Sequence, residues 1–161
     1  MKEQDQLNKA IILAKNAHRG QVDKGGHPYE EHLCAVADGC QSTIGKTVAW
    51  LHDILEDTEI TEDDLRKEGF SDTVIEAVLL LTKRYTRNFD YYEYLCGICD
   101  NSIAREVKKA DLINNMDLSR LKSVTDKDME YHNKYEVSYR FLNGDLDKEY
   151  EFPDKWSRSG M

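Results

Sequence analysis

The residues best suited to chemistry stand together in Trp50-Leu51-His52-Asp53-Ile54-Leu55-Glu56-Asp57-Thr58. Residues four apart on an α-helix share a face, so a continuous helix sets Glu56 over His52 and Asp57 over Asp53. Val48, Leu51 and Leu55 keep the i, i+3, i+7 rhythm of a core-facing stripe, and His52 falls on that stripe. A neutral polar group buried without a partner costs on the order of 2–7 kcal/mol. Asp53, Glu56 and Asp57 also crowd three carboxylates into five residues, and these repel unless a cation lies among them. A divalent metal resolves both costs and leaves a second carboxylate pair for proton transfer. The plainer alternative is a helix end with solvated acids and one ordinary core histidine, since polar clusters mark sites only statistically.

The elements that must position this stretch read as helices throughout. Residues 4–19 form a first helix with Leu7, Ile11, Ala14 and His18 on one side. His18 at its end reads as a satisfied core histidine. Residues 20–29 form a loop in which Gly25 and Gly26 permit close backbone approach to a ligand, with Lys24 beside them as a candidate phosphate contact. The loop lacks Walker-type spacing. Pro28 starts a second helix over 29–39, with Leu33, Val36, Ala37 and Cys40 toward the core and His32 in its first turn. The third helix is expected to run unbroken from 42 or 43 to 55. Thr61 to Asp64 form a capping box, with Asp in place of the usual Glu, for a short helix that Gly69 ends. Ser71 caps the next, which ends near 82–84, and another spans 90–99. Residues 103–116 place Val107, Ala110, Asp111 and Asn114 on one buried stripe. An acid there needs a cation or several donors. Arg105 and Lys108 are the ordinary salt-bridge partners to weigh, and both are expected to project away from Asp111. A last helix covers 125–142, with Met129, Tyr135, Tyr139 and Leu142 as its apolar residues. No alternating β pattern occurs, so the fold class is all-α with about eight helices. A single domain over 1–144 is expected, followed by a polar tail at 145–161 that Phe152 and Trp156 could dock.

Composition bounds the function. The chain has 161 residues, 40% apolar and 33% charged, and fits one soluble core. No apolar run approaches the ~20 residues of a membrane span, and residues 1–5 lack a signal-peptide core. A cytoplasmic protein with no membrane partner is expected. The net charge of −9 argues against DNA or RNA partners, which call for a basic patch. Cys34, Cys40, Cys96 and Cys99 read as reduced thiols. The Cys96-Gly97-Ile98-Cys99 spacing has no second knuckle and keeps helical periodicity, which favours small core residues over a metal site.

His32, His52, Asp53 and Asp111, on three helical segments, thus all ask for partners. Imidazole with carboxylate suits manganese, iron or zinc better than calcium. In this order the four residues, with Lys24-Gly25-Gly26-His27-Pro28-Tyr29-Glu30-Glu31-His32, the His-Asp-x-x-Glu-Asp-Thr block, Leu81-Thr82-Lys83 and the Val107–Met116 stretch, make a specific pattern. The chain resembles the HD-domain metal phosphohydrolases, and within them the hydrolase domain of the RelA/SpoT family and its stand-alone small alarmone hydrolases. The resemblance covers roughly residues 5–120.

That resemblance implies an HD-domain helical bundle in which His32, His52, Asp53 and Asp111 hold one Mn²⁺. Glu56 and Asp57 would position and deprotonate the attacking water. Lys24 would meet substrate phosphates and Asn115 would face the base. The implied reaction removes the 3′-pyrophosphate of (p)ppGpp to give GDP or GTP. Three positions depart from the family pattern. Asp23 stands where the family stacks an arginine on guanine, Leu112 where an arginine follows the last metal ligand, and Asp117 where a further arginine is expected. Arg19 is the candidate to replace the first. With no synthetase segment expected after the hydrolase motifs, alarmone synthesis is not anticipated. The competing functions are an HD-type hydrolase of another nucleotide, such as the 2′-phosphate of NADPH or a nucleoside monophosphate, and a non-catalytic nucleotide- or metal-binding module. Intact Glu56 and Asp57 weigh against the latter.

Overall fold

Side-chain caps fix where the helices begin. In the computed structural model, which describes residues 1–84, 88–146, 150–153 and 156, nine α-helices and one 3₁₀ turn account for most of the chain. They are α1 (Glu3–Ala17), α2 (Tyr29–Asp38), α3 (Thr43–Leu51), α4 (Ile54–Asp57), α5 (Glu62–Lys67), α6 (Asp72–Leu81), α7 (Tyr91–Cys99), α8 (Ser102–Asn115) and α9 (Asp126–Leu142), with the 3₁₀ turn at Leu118–Arg120. Ser42, Ser71, Asp90 and Asn101 each accept a backbone N–H at the start of α3, α6, α7 and α8. Such caps satisfy donors the helix itself leaves orphaned. Thr61 and Asp64 form both halves of the predicted capping box, and Thr125 with Asp128 forms another at α9. The only extended pairing among the described residues is an isolated bridge between Val22 and Pro28, which closes the glycine loop. The fold class is all-α, as the periodicity predicts. No helix among the described residues is long and apolar enough to cross a membrane.

Two helices sit at the centre. α3 packs against α1, α2, α6 and α8, while α8 packs against α2, α3, α6, α7 and α9. Val48, Ala49 and Leu51 of α3 are fully buried, as are Ala104 and Val107 of α8. Glu106 ties the two together, accepting from Gln41 N at 2.6 Å and Ser42 N at 3.2 Å and so capping α3 from α8. The elements that carry His32, His52-Asp53 and Asp111 are therefore in mutual contact.

The expected unbroken third helix is corrected. It stops at Leu51, and Asp53 leaves helical geometry at φ −105°, ψ 0° before α4 begins. The cause lies in His52, whose ring Nδ1 sits 2.6 Å from the Ala49 carbonyl and takes over an acceptor that a continuing helix would use. The break turns Ile54 fully into the core and leaves Leu55 half-buried against it. It also supplies the helix beyond the expected eight.

At the other end, α9 buries Lys134, Ser138 and Leu142 as a stripe, whereas Met129, read as one of its apolar residues, is exposed. Of the segment read as a polar tail, Trp156 is buried, with its ring 6.4 Å from Tyr91 and 5.7 Å from Phe152. The tail end at 157–161 lies outside the described residues. Cys40 is buried and Cys96 and Cys99 are half-buried, all as free thiols.

Leu51→Ala, at a fully buried position beside His52, is expected to lower unfolding free energy by about 2–5 kcal/mol in a urea titration. A loss below about 1 kcal/mol would contradict the central place given to α3.

Candidate metal centre and active site

His32 enters from the first turn of α2, His52 and Asp53 from the break between α3 and α4, and Asp111 from α8. One ring nitrogen from each histidine and one Asp53 oxygen all lie within 4.8 Å of one another. Asp53 Oδ2 is 3.0 Å from His52 Nε2 and 3.9 Å from His32 Nε2. Asp111 Oδ1 is 3.0 Å from His32 Nε2 and 3.4 Å from His52 Nε2. All four predicted ligands are thus brought to one place, with both histidines and Asp111 buried.

The outer ring nitrogens set the tautomers. His32 Nδ1 donates to Asn114 Oδ1 at 2.7 Å, and His52 Nδ1 donates to the Ala49 carbonyl at 2.6 Å. Nε2 of each ring then faces carboxylate oxygens, and in the neutral ring it carries the lone pair a metal would take. His52 Nε2 is fully buried and has no hydrogen-bond partner among the described residues, although two carboxylates crowd it. A histidine fixed through Nδ1 with Nε2 facing acids is the usual arrangement of a metal ligand. A cation between these atoms would satisfy the orphaned nitrogen and both acids together, so the donor set fits a divalent metal.

The same acids that would face a cation also favour the protonated form of both rings. Burial alone would push the His52 imidazole down, but Asp53 and Asp111 overrule it and hold it well above the ordinary histidine value. Burial likewise opposes ionisation of Asp53 and Asp111, yet both carboxyls stay below their usual range. His52 holds Asp53 down, and Lys108 with the two histidines holds Asp111 down. Both acids are held ionised by the positive charge around them.

Lys108 corrects an expectation. Its Nζ lies 3.0 Å from Asp111 Oδ2, buried, rather than projecting away. Residues three apart share a helix face, and the long lysine stem folds back along it. The ordinary salt bridge and the metal-facing geometry therefore coexist, one on each oxygen of Asp111. Asn115, expected to face a base, donates to Asp111 Oδ1 at 3.2 Å and lines the cavity. Tyr29, not singled out from the sequence, donates its hydroxyl to Asp53 Oδ2.

The cluster lines a cavity of about 570 Å³. Glu56 and Asp57 line it too. Glu56 accepts from the Lys83 backbone N–H, and burial pushes its carboxyl up. Burial, with Asp53 adding to it, raises Asp57 as well. His18 reaches Asp57 indirectly: its Nδ1 lies 2.7 Å from Gln21 Oε1, and Gln21 Nε2 donates to the Asp57 carbonyl at 2.8 Å. Lys24 lines the same cavity and stands over the Tyr131 ring, 3.7 Å from its centroid.

Sequence reasoning missed a cationic wall. Lys83 and Lys108 line the cavity with Tyr91 and Tyr94, and the buried Lys134 sits 4.1 Å from the Tyr91 ring centroid. Burial, with Lys108 adding to it, lowers Lys83 to about 8. Burial and the other two lysines lower Lys134 to about 7. Lys83 stood in the Leu81-Thr82-Lys83 block and Lys108 at i, i+3 from Asp111, whereas Lys134 carried no local signal.

No protein-family profile matches this chain. It is 40% identical over 75 residues to a guanosine-3′,5′-bis(diphosphate) 3′-pyrophosphohydrolase of Haemophilus influenzae, covering 42% of this chain and 10% of that protein. It is 29% identical over 124 residues to the GTP pyrophosphokinase rsh of Brucella melitensis, covering 68% of this chain and 16% of the other. The matched region is therefore only a small part of these curated relatives. Among solved structures it matches one reported as "A metazoan ortholog of SpoT hydrolyzes ppGpp and plays a role in starvation responses". The TM-score is 0.69 at 21% identity, over 85% of this chain and 84% of that one. The fold is that of the all-α HD-domain bundle. In sequence and fold together, the chain resembles the hydrolase domain of RelA/SpoT-type proteins.

Asn114→Ala removes the acceptor that orients His32 and is expected to weaken divalent-metal affinity by roughly 10–100-fold, as loss of such outer partners does. Titration with Mn²⁺ against a competing chelator reads this out; unchanged affinity would contradict the orienting role.

Proposed function

We propose that this protein is a metal-dependent phosphohydrolase that removes the 3′-pyrophosphate of (p)ppGpp, with Mn²⁺ the preferred ion and Fe or Zn the alternatives. The observation that carries the reading is the orphaned His52 Nε2, buried among Asp53, Asp111 and His32 at the base of a nucleotide-sized cavity. His32, His52, Asp53 and Asp111 would hold the ion. When bound, it would supply Lewis acidity, lowering the pKa of water and polarising a phosphoryl oxygen.

The chain's own residues do the rest. Glu56 and Asp57 receive the proton of the water that attacks phosphorus, and their raised carboxyls are better bases than ordinary acids. The Lys83 backbone N–H holds Glu56 in place. As the water oxygen bonds to phosphorus, the bond from phosphorus to the 3′ oxygen breaks, and that oxygen leaves with a proton. Lys83 and Lys108 face the phosphates from the inner wall, and Lys24 meets them from the loop. This local positive wall is what lets a protein of net charge −9 accept a polyanion. Asn115 stands on the path toward the base. A cytoplasmic setting follows from a nucleotide substrate.

The test is turnover by the full chain with Mn²⁺, offered ppGpp, NADPH and nucleoside monophosphates, with pyrophosphate and orthophosphate release resolved. Pyrophosphate from ppGpp is the expected result. Orthophosphate from another nucleotide, or binding without turnover, would overturn the assignment. Glu56→Gln is expected to keep the ion and lose ~10²–10⁴-fold in kcat; an unchanged rate would move the proton-transfer role elsewhere.

A further inference from the structure

The cavity that holds the metal donors and the lysine wall is also lined by Val22, Leu118, Leu121 and Tyr131, by Lys24, Asp117 and Asp128, and by one guanidinium, that of Arg120. Arg120 comes from the 3₁₀ turn that follows α8, an element the periodicity did not predict. Its Nη2 lies 2.8 Å from Asp23 Oδ2 and 3.4 Å from Glu31 Oε2. Asp23 is itself fixed, since its Oδ1 accepts from Gly25 N and His27 N, each at 2.9 Å. The turn is also pressed onto the glycine loop, because a Cβ at Gly25 would collide with the Arg120 carbonyl. Arg19, the expected replacement for a guanidinium at position 23, is exposed, pairs with Asn16 and does not line the cavity.

We propose that Arg120 is the base-recognising residue of this site, its guanidinium plane held by Asp23 as a platform on which a purine stacks. The inference rests on the nucleotide reading above. The charge of Arg120 is already matched by two carboxylates, so little of it is left for a phosphate. What remains is a flat, delocalised face in a cavity that Leu118, Leu121 and Tyr131 also line, and such a plane is a surface that nucleobases stack on. Asp23, an acid where the resemblance has an arginine, is then the positioning residue for a guanidinium supplied from residue 120. Base recognition has moved across the cavity mouth rather than disappeared.

Calorimetric binding of GDP and of inorganic pyrophosphate to the Mn-loaded full chain tests this. Arg120→Ala and Arg120→Lys should each weaken GDP by about tenfold or more, the loss of one stacked base. Pyrophosphate affinity should stay within about twofold. Arg120→Lys keeps the charge and loses the plane, so GDP binding like that of the unaltered chain would overturn the proposal. Equal weakening of both ligands would also overturn it by making Arg120 a phosphate contact, as would a chain that binds pyrophosphate but no GDP. The hydrolytic assignment fails separately, through the absence of ppGpp turnover in a chain that still shows this GDP selectivity.

Discussion

Both imidazoles spend their Nδ1 hydrogens on fixed acceptors, and this turns two Nε2 atoms toward Asp53 and Asp111 at the wall of the cavity. That convergence constrains the rest of the fold. It breaks the third helix, because His52 takes the Ala49 carbonyl that a further turn would need. It brings the α2 start against α8, because Asn114 must reach His32. It also recruits Lys108 to the outer oxygen of Asp111, and Tyr29 to the Asp53 oxygen that faces the histidines. A buried carboxylate without such partners would be expelled or neutralised.

A division of charge follows. The chain is acidic as a whole, yet three lysines are buried or lie against its cavity, spaced by Tyr91 and Tyr94. Aromatic faces beside these ammonium groups offset part of the loss of water. Burying cations that repel one another is a cost to folding. It becomes intelligible where a polyanion is to be met, and the cluster is therefore better read as a receptor for negative charge than as a stabilising device.

Much of this was legible in the sequence. Helical periodicity and caps located α1, α2 and α5 to α9 to within a few residues, because Ser71, Asp90 and the Thr61 box act locally. The four donors were legible as polar residues on apolar stripes. The break at His52 was not, since the competitor for the helix was a ring nitrogen rather than a proline or glycine. The placement of Lys108 was not legible either, since its flexible stem folds back along the helix to Asp111. Lys134 and the Arg120 pair depend on tertiary neighbours 40 to 100 residues away, Tyr91 and Asp23 among them, and no local pattern encodes that.

The account stands on a single cation shared by these four side chains. A crystal grown with manganese and measured at the manganese absorption edge addresses it directly. The predicted result is one anomalous peak roughly 2.0–2.3 Å from His32 Nε2, His52 Nε2 and one oxygen each of Asp53 and Asp111, distances usual for nitrogen and oxygen ligands of such an ion. A fully manganese-saturated crystal with no peak between them, or with its ion bound elsewhere, would contradict it.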